Sequence, residues 1–355
     1  MLQYWDDSCR LTDEKWKYFF SEKIPQAQCL IAGILGLSAP ERITFAPNTH
    51  ELAYRLLSCL PRDRELQILT TDSEFHSWDR QLSRIAEDGR VRFLRVPSEP
   101  FESFEERFAE AARSQKWDVI YFSQVFFNSG VCVRDLTQLV DAAGIKKVPD
   151  TILIVDGYHG FMAVPTDLRA LEGRIFYLAG AYKYAQAGEG CCFMVSPKTD
   201  LRPEYTGWFA EAAHLENRAQ RVTYPDDGMR FAGATMDFSG LYRLISVLEL
   251  FEREKITVPV IHRYVQELQS KFLQQIDSYQ HPVLNRKNLI FRDLKNHGHF
   301  LTFRCPDANV AQELGGFLRS HGILTDSRGD RLRFGFGLYH DPANYDLSCL
   351  AKPRP

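Results

Sequence analysis

The chain has no surplus of either charge. Lys and Arg number 43 against 46 Asp and Glu, a formal net charge of −3 over 355 residues. That balance argues against nucleic acid or an anionic membrane as the main partner. A long hydrophobic run is also missing: the longest uncharged stretch, Ile24 to Pro40, is barely of bilayer-spanning length and is interrupted by Pro25, Gly33 and Gly36. No charged-then-apolar leader with a cleavage site opens the sequence, so the expected location is cytoplasmic. The eight cysteines include no CxxC spacing, and Cys191 and Cys192 are adjacent in an apolar run; buried reduced thiols are expected. Internal repeats, low-complexity tracts and long linkers are absent. What remains, with 45% hydrophobic and 25% charged residues, is an ordinary globular chain with enough material for one sizeable core and a smaller domain.

Short apolar runs alternate with helical patterns from Ile43 to Val195. Strands are expected at Ile43–Ala46, Leu66–Thr70, Val91–Val96, Val119–Ser123, Ile152–Asp156, Ile175–Ala179 and Cys191–Val195. Helical patterns occupy Glu51–Cys59, Trp78–Glu87, Phe104–Ser114 and Leu136–Gly144 between them. This alternation predicts an α/β fold, a mainly parallel seven-stranded sheet with helices on both faces. After Thr235 the pattern changes to two helices, Leu241–Arg253 and Val258–Ile276, and strands near Phe300–Arg304, Gly322–Thr325 and Arg331–Gly335. The division expected is a large domain over 43–235 and a smaller α+β domain built from 1–42 and 236–355.

Polar residues at strand ends carry extra weight, because open α/β sheets bind ligands beyond the C-terminal ends of their strands. Asn48-Thr49-His50-Glu51 follows the first strand and opens a helix, suiting either a phosphate or a plain N-cap. The second strand leads into Thr71–Trp78, where Phe75 or His76 can stack on a planar ring or pack into the core. Ser123–Gly130 closes another strand with polar groups, and Gly130 reads as a turn residue. The run Ile-Leu-Ile-Val ends on Asp156, and Lys183 follows the next apolar run. An acid and a lysine at neighbouring strand ends, with His159 three residues after the acid and Tyr182 beside the lysine, form the constellation that holds pyridoxal 5'-phosphate (PLP). The amine condenses with the aldehyde, and the carboxylate keeps the pyridine nitrogen protonated so that the ring accepts electrons.

These residues resemble the class V aminotransferase family of fold-type I PLP-dependent enzymes, which includes cysteine desulfurases and kynureninases. The resemblance runs from Ile43 to the Arg333 region. It implies that Asp156 sits on the pyridine nitrogen, that His159 lies near the phenolic oxygen, and that Tyr182 contacts the phosphate. By the same likeness Asn48 and Thr49 belong to the phosphate turn and Phe75 stacks on the ring. Phe231–Thr235 resembles a segment whose threonine, here Thr235, reaches a phosphate across a dimer interface. Thr206–Phe209, containing Trp208, and Gly322–Arg328 with Arg333 and Leu338-Tyr339 look closest to the kynureninase-like branch. Arg333 matches the arginine that grips the substrate α-carboxylate, a task suited to a planar fork; its alternative is a strand-edge ion pair. Three departures stand out: the N-terminal segment that closes over the substrate in family members is not found, Gly180 replaces the family's serine three residues before the lysine, and phenylalanines fill the Ser123–Gly130 turn where many members place an asparagine.

The resemblance implies a homodimer with shared sites and a small amino-acid substrate. Lys183 would act as the general base at Cα. An aminotransferase is the first expectation, a kynureninase-like hydrolase or other PLP lyase the second, and a catalytically idle PLP-binding dimer the third. A desulfurase ranks low, since Cys305 and Cys349 lie in no glycine-rich loop. No metal site is expected: His297 and His299 flank a glycine and read as a surface turn.

Overall fold

The computed structural model describes residues 1–145, 151–214 and 221–351. They divide into two compact units, one of residues 1–124, 135–161 and 166–256 and one of 125–134, 162–165 and 257 onward. The 1–42 segment, expected with the C-terminal part, belongs to the first unit. Its helix Ile24–Leu35 packs on helix Ser239–Arg253. Gln28 donates to the Ile43 carbonyl at 2.7 Å, and the Tyr242 hydroxyl donates to Asp7 at 2.8 Å. These ties also carry the boundary past Thr235 to Ile256. The last residues of the expected small domain, 352–355, lie outside the described residues.

The first unit is built on seven strands: β1 (Ile43–Ala46), β2 (Leu66–Thr71), β3 (Val91–Val96), β4 (Val119–Ser123), β5 (Ile152–Asp156), β6 (Phe176–Gly180) and β7 (Cys192–Val195). Every strand expected between Ile43 and Val195 is present within one residue of its bounds. The order is β1-β7-β6-β5-β4-β2-β3, with β2 to β6 running parallel and β7 antiparallel to both neighbours. Strands β4, β5 and β6 are buried at every position, which explains their continuous apolar runs: helices cover both faces. The edge strand β3 differs, exposing Arg92 and leaving Arg95 to pair with Asp79. In the parallel pairing Ser123 lies opposite Asp156 and Asp156 opposite Leu178. The C-terminal ends of β4, β5 and β6 therefore stand side by side.

The second unit holds β8 (Phe300–Arg304), β9 (Asp326–Arg328) and β10 (Arg331–Gly335) in the antiparallel order β8-β10-β9. Helices Val258–Tyr279 and Ala308–Ser320 close its core around Phe272, Leu301, Phe303, Leu314 and Leu332. The strand expected at Gly322–Thr325 is displaced to β9. Gly322, at φ 79°, turns the chain after the helix, and pairing with β10 begins only at Asp326. His297 and His299 are not a surface turn, for each is only 1% exposed. His297 fills the space beside Gly130, and His299 stacks on His262 with ring centroids 5.5 Å apart. Burial pushes His297 down to about 4 and His299 to about 3, so both are neutral at physiological pH. Cys132, Cys191, Cys192, Cys305 and Cys349 are buried as expected, whereas Cys9 and Cys29 are exposed. Among the described residues no helix is long and apolar enough to cross a membrane, and no histidine, cysteine and carboxylate group could hold a metal.

One glycine fixes how the chain leaves β5. A Cβ on Gly157 would overlap the ring end and hydroxyl of Tyr177. That hydroxyl is buried and donates to Gln124 Oε1 at 2.9 Å, so the ring cannot step aside. Gly157→Ala is expected to destabilise the protein by about 1–3 kcal/mol, read as a lower urea midpoint; an unchanged midpoint would show that the Tyr177 packing yields.

Candidate functional site

Asp156 ends β5 with only 7% of its surface exposed. An ionised carboxylate in such a place needs donors, and it has two. The Tyr158 backbone N–H donates to Oδ1 at 2.8 Å and the Tyr121 hydroxyl to Oδ2 at 2.8 Å. Burial still raises the Asp156 pKa above the ordinary aspartate value; the two hydrogen bonds and the nearby Lys183 charge act in the opposite direction. Lys183 is half-buried in the turn after β6, its Nζ 5.3 Å from the Tyr182 ring centroid. The expected acid and lysine thus come together at one sheet edge. His159 is buried in the turn that Gly157 opens.

The turn after β1 serves as a helix cap. Asn48 Oδ1 accepts from the Glu51 N–H at 2.9 Å, which opens helix Thr49–Leu57. The Asn48 side chain is spent on that cap, while the Thr49 N–H faces the start of β7, where it reaches the Cys192 thiol. The departure at Gly180 has a packing cause. A Cβ there would lie 2.5 Å from the Tyr158 ring and 2.7 Å from Cys192 Sγ, so the family's serine would not fit.

Phe75 sits at the N-cap of helix His76–Glu87 and is 42% exposed, its ring 5.5 Å from that of His76. Three residues on, Trp78 lies flat on Tyr121 at 3.9 Å and 11°. Trp208 and Thr235 meet, the indole N–H donating to Thr235 Oγ1 at 3.0 Å. Thr235 also lines a cavity of about 730 Å³ with Tyr54, Arg55 and Tyr205. That cavity is bordered by neither Asp156 nor Lys183. In the second unit Arg333 is engaged on β10: it pairs with Asp326 across from it, donates to the Phe127 carbonyl and lies 5.3 Å from the Phe300 ring. The strand-edge ion pair is therefore formed, and a substrate carboxylate at this guanidinium would compete with Asp326.

Sequence reading did not single out Glu74 or Tyr121, and it took Gln124 only as part of the polar strand end Ser123–Gly130. Glu74 is buried between β2 and β4, accepting from Thr71 Oγ1 at 2.6 Å, from Ser123 Oγ at 2.6 Å and from the Ser123 N–H at 3.2 Å. Gln124 joins the Tyr177 hydroxyl to Thr166 Oγ1. Strand parity was an available signal for Tyr121, which shares a face with Ser123 two residues on. Glu74 gave none, because two of its three hydrogen bonds come from Ser123 on another strand.

No family model and no curated protein matches this chain, but solved structures do. A cystine C–S lyase, C-DES, captured with its product cysteine persulfide, superposes with a TM-score of 0.79 at 17% identity, over 99% of this chain and 93% of that one. A cysteine desulfurase from Thermococcus onnurineus NA1 gives 0.72 at 18%, over 93% and 81%. The cysteine desulfurase CsdA of Escherichia coli gives 0.72 at 15%, over 93% and 82%. The fold is fold-type I. At these identities the likeness establishes architecture, and none of these three structures is a kynureninase.

Burial pushes the Glu74 carboxyl up to about 8, against the pull of its Ser123 and Thr71 donors and with a smaller push from Asp156. A carboxyl so raised binds a proton on folding. Its contribution to stability is complete below the ordinary glutamate value of 4.5 and is lost as pH rises through about 8. Glu74→Gln should therefore flatten only part of the decline of the urea midpoint across that window, because Asp156, also raised, contributes the rest; a slope as steep as wild type would remove Glu74 from the account.

Proposed function

We propose that the protein is a PLP-dependent enzyme acting on an α-amino acid, with Lys183 as the attachment lysine and Asp156 as the acid on the pyridine nitrogen. The observation that carries this is a buried carboxylate at the end of β5 within electrostatic reach of a half-buried lysine after β6. The residues fit the cofactor. An ionised carboxylate offers about four lone-pair sites, and two hydrogen-bond donors to Asp156 leave room for another. Phe75 exposes an aromatic ring beyond the end of β2, which is separated from β5 by β4, and helix Thr49–Leu57 directs its N-terminus toward the start of β7. When bound, PLP supplies the electron sink that makes the substrate Cα–H acidic. Lys183 Nζ is the group to take that proton, Asp156 to hold the proton on the pyridine nitrogen, and Phe75 to cover one face of the ring.

Among the reactions that begin this way we favour a lyase, which reverses the order that put aminotransferase first. The likeness to a cystine C–S lyase spans nearly the whole of both chains. Cys305 and Cys349 are buried, so neither is a mobile thiol placed to accept sulfur as a desulfurase requires. A lyase turns over without an amino acceptor, whereas an aminotransferase halts after one half-reaction until a 2-oxo acid is added.

Two outcomes are expected. Protein supplied with PLP should develop a visible absorbance band that borohydride removes, and Lys183→Ala should lack it; wild type without a band would sink the cofactor assignment. Steady 2-oxo acid release from cystine or a related thioether amino acid, with no acceptor present, should persist in Cys305→Ser and Cys349→Ser within about twofold. Turnover that requires an added 2-oxo acid would restore the aminotransferase.

A further inference from the structure

The two donors to Asp156 are not equivalent. Tyr158 uses its backbone N–H, which any residue but proline would offer. Tyr121 uses a side-chain hydroxyl that few other residues could bring to the same point. It lies in β4 opposite Ile154, on the face shared by Ser123 and Asp156, and a phenol has the length to reach from there to the strand end. Trp78 lies flat on its ring at 3.9 Å, and Trp78 is itself anchored through its indole N–H to Thr70 Oγ1 at 3.2 Å. Both rings are buried, so the hydroxyl has one direction in which to point. A buried phenol left unpaired would be costly, which ties Tyr121 to the carboxylate as firmly as the reverse.

We propose that Tyr121 is a positioning residue for Asp156: braced by Trp78, its hydroxyl fixes the direction of Oδ2 and favours the charged form of the carboxyl. What this does for PLP rests on the function proposed above; the link between the two residues does not. The titratable groups around Asp156 are Glu74, Tyr121, Tyr158, Tyr177, Lys183 and Cys192. Of these Tyr121 is the side chain that hydrogen-bonds Asp156. Removing its hydroxyl leaves burial less opposed, so Asp156 should ionise at higher pH. A neutral carboxyl does not hold a proton on a pyridine nitrogen.

Tyr121→Phe keeps the ring and the Trp78 stack and deletes only the donor. In cofactor-free protein, urea midpoints from about pH 4 to about pH 9 are compared for wild type, Tyr121→Phe, Asp156→Asn and the double variant. The loss caused by Tyr121→Phe should grow as pH rises, because the charged carboxyl loses more than the neutral one. In the Asp156→Asn background the loss should be the same at every pH. PLP affinity, read by quenching of tryptophan fluorescence over the same range, should fall about tenfold near neutrality. Its acid limb should move to higher pH in Tyr121→Phe, and Asp156→Asn should abolish the limb. A loss independent of pH in both measurements would reduce Tyr121 to a packing residue and overturn the proposal. A pH-dependent loss in cofactor-free protein, with no PLP uptake by wild type, would instead sink the cofactor assignment and leave the Tyr121–Asp156 link standing.

Discussion

A carboxylate buried at the end of a central strand is the feature to which the surrounding structure is fitted. Left alone, Asp156 would shed its charge, since desolvation of an unpaired carboxylate costs more than folding can spare. The neighbourhood supplies what water would have supplied: the Tyr158 N–H, the Tyr121 hydroxyl and the field of Lys183. Each has its own support. Trp78 backs Tyr121, Gly157 lets the chain pass over Tyr177, and Gly180 leaves space for the Tyr158 ring.

Strand register converts these local fits into a site. Parallel pairing sets Ser123 beside Asp156 and Asp156 beside Leu178, so residues far apart in sequence share one edge. The same edge collects Glu74, whose buried carboxyl binds β2 to β4 through Thr71 and Ser123. Two carboxyls in one apolar setting cannot both ionise at low cost, and their environments divide the roles. Asp156 has a cation within reach. Glu74 has only neutral donors, and its pKa is pushed up to about 8.

The strands were legible because β4, β5 and β6 are buried on both faces, and such strands announce themselves as unbroken apolar runs. Asp156 and Lys183 were legible for a related reason, since a polar residue closing such a run has only the sheet edge to occupy. Short or weakly patterned features were misread. Gly322–Thr325 looked like a strand, but Gly322 is a turn and pairing starts at Asp326. His297 and His299 looked like a surface turn because one glycine separates them; packing against Gly130 and His262 buries both. The 1–42 segment carries no local mark of which unit it joins, and contacts with helix Ser239–Arg253 decide it.

From sequence alone came the strand–helix alternation, the acid and lysine at neighbouring strand ends, and, as one of two open readings, the cap at Asn48. All three follow from nearest-neighbour chemistry: periodicity, the end of an apolar run, and a side chain reaching three residues along its own chain. Only the tertiary structure decided that Tyr121 and not a backbone group holds Oδ2, that Trp78 stacks within the unit while Phe75 is left exposed, and that Arg333 pairs with Asp326. These partners come from different strands and helices. Their meeting depends on register and on burial, and neither quantity exists until the sheet has formed.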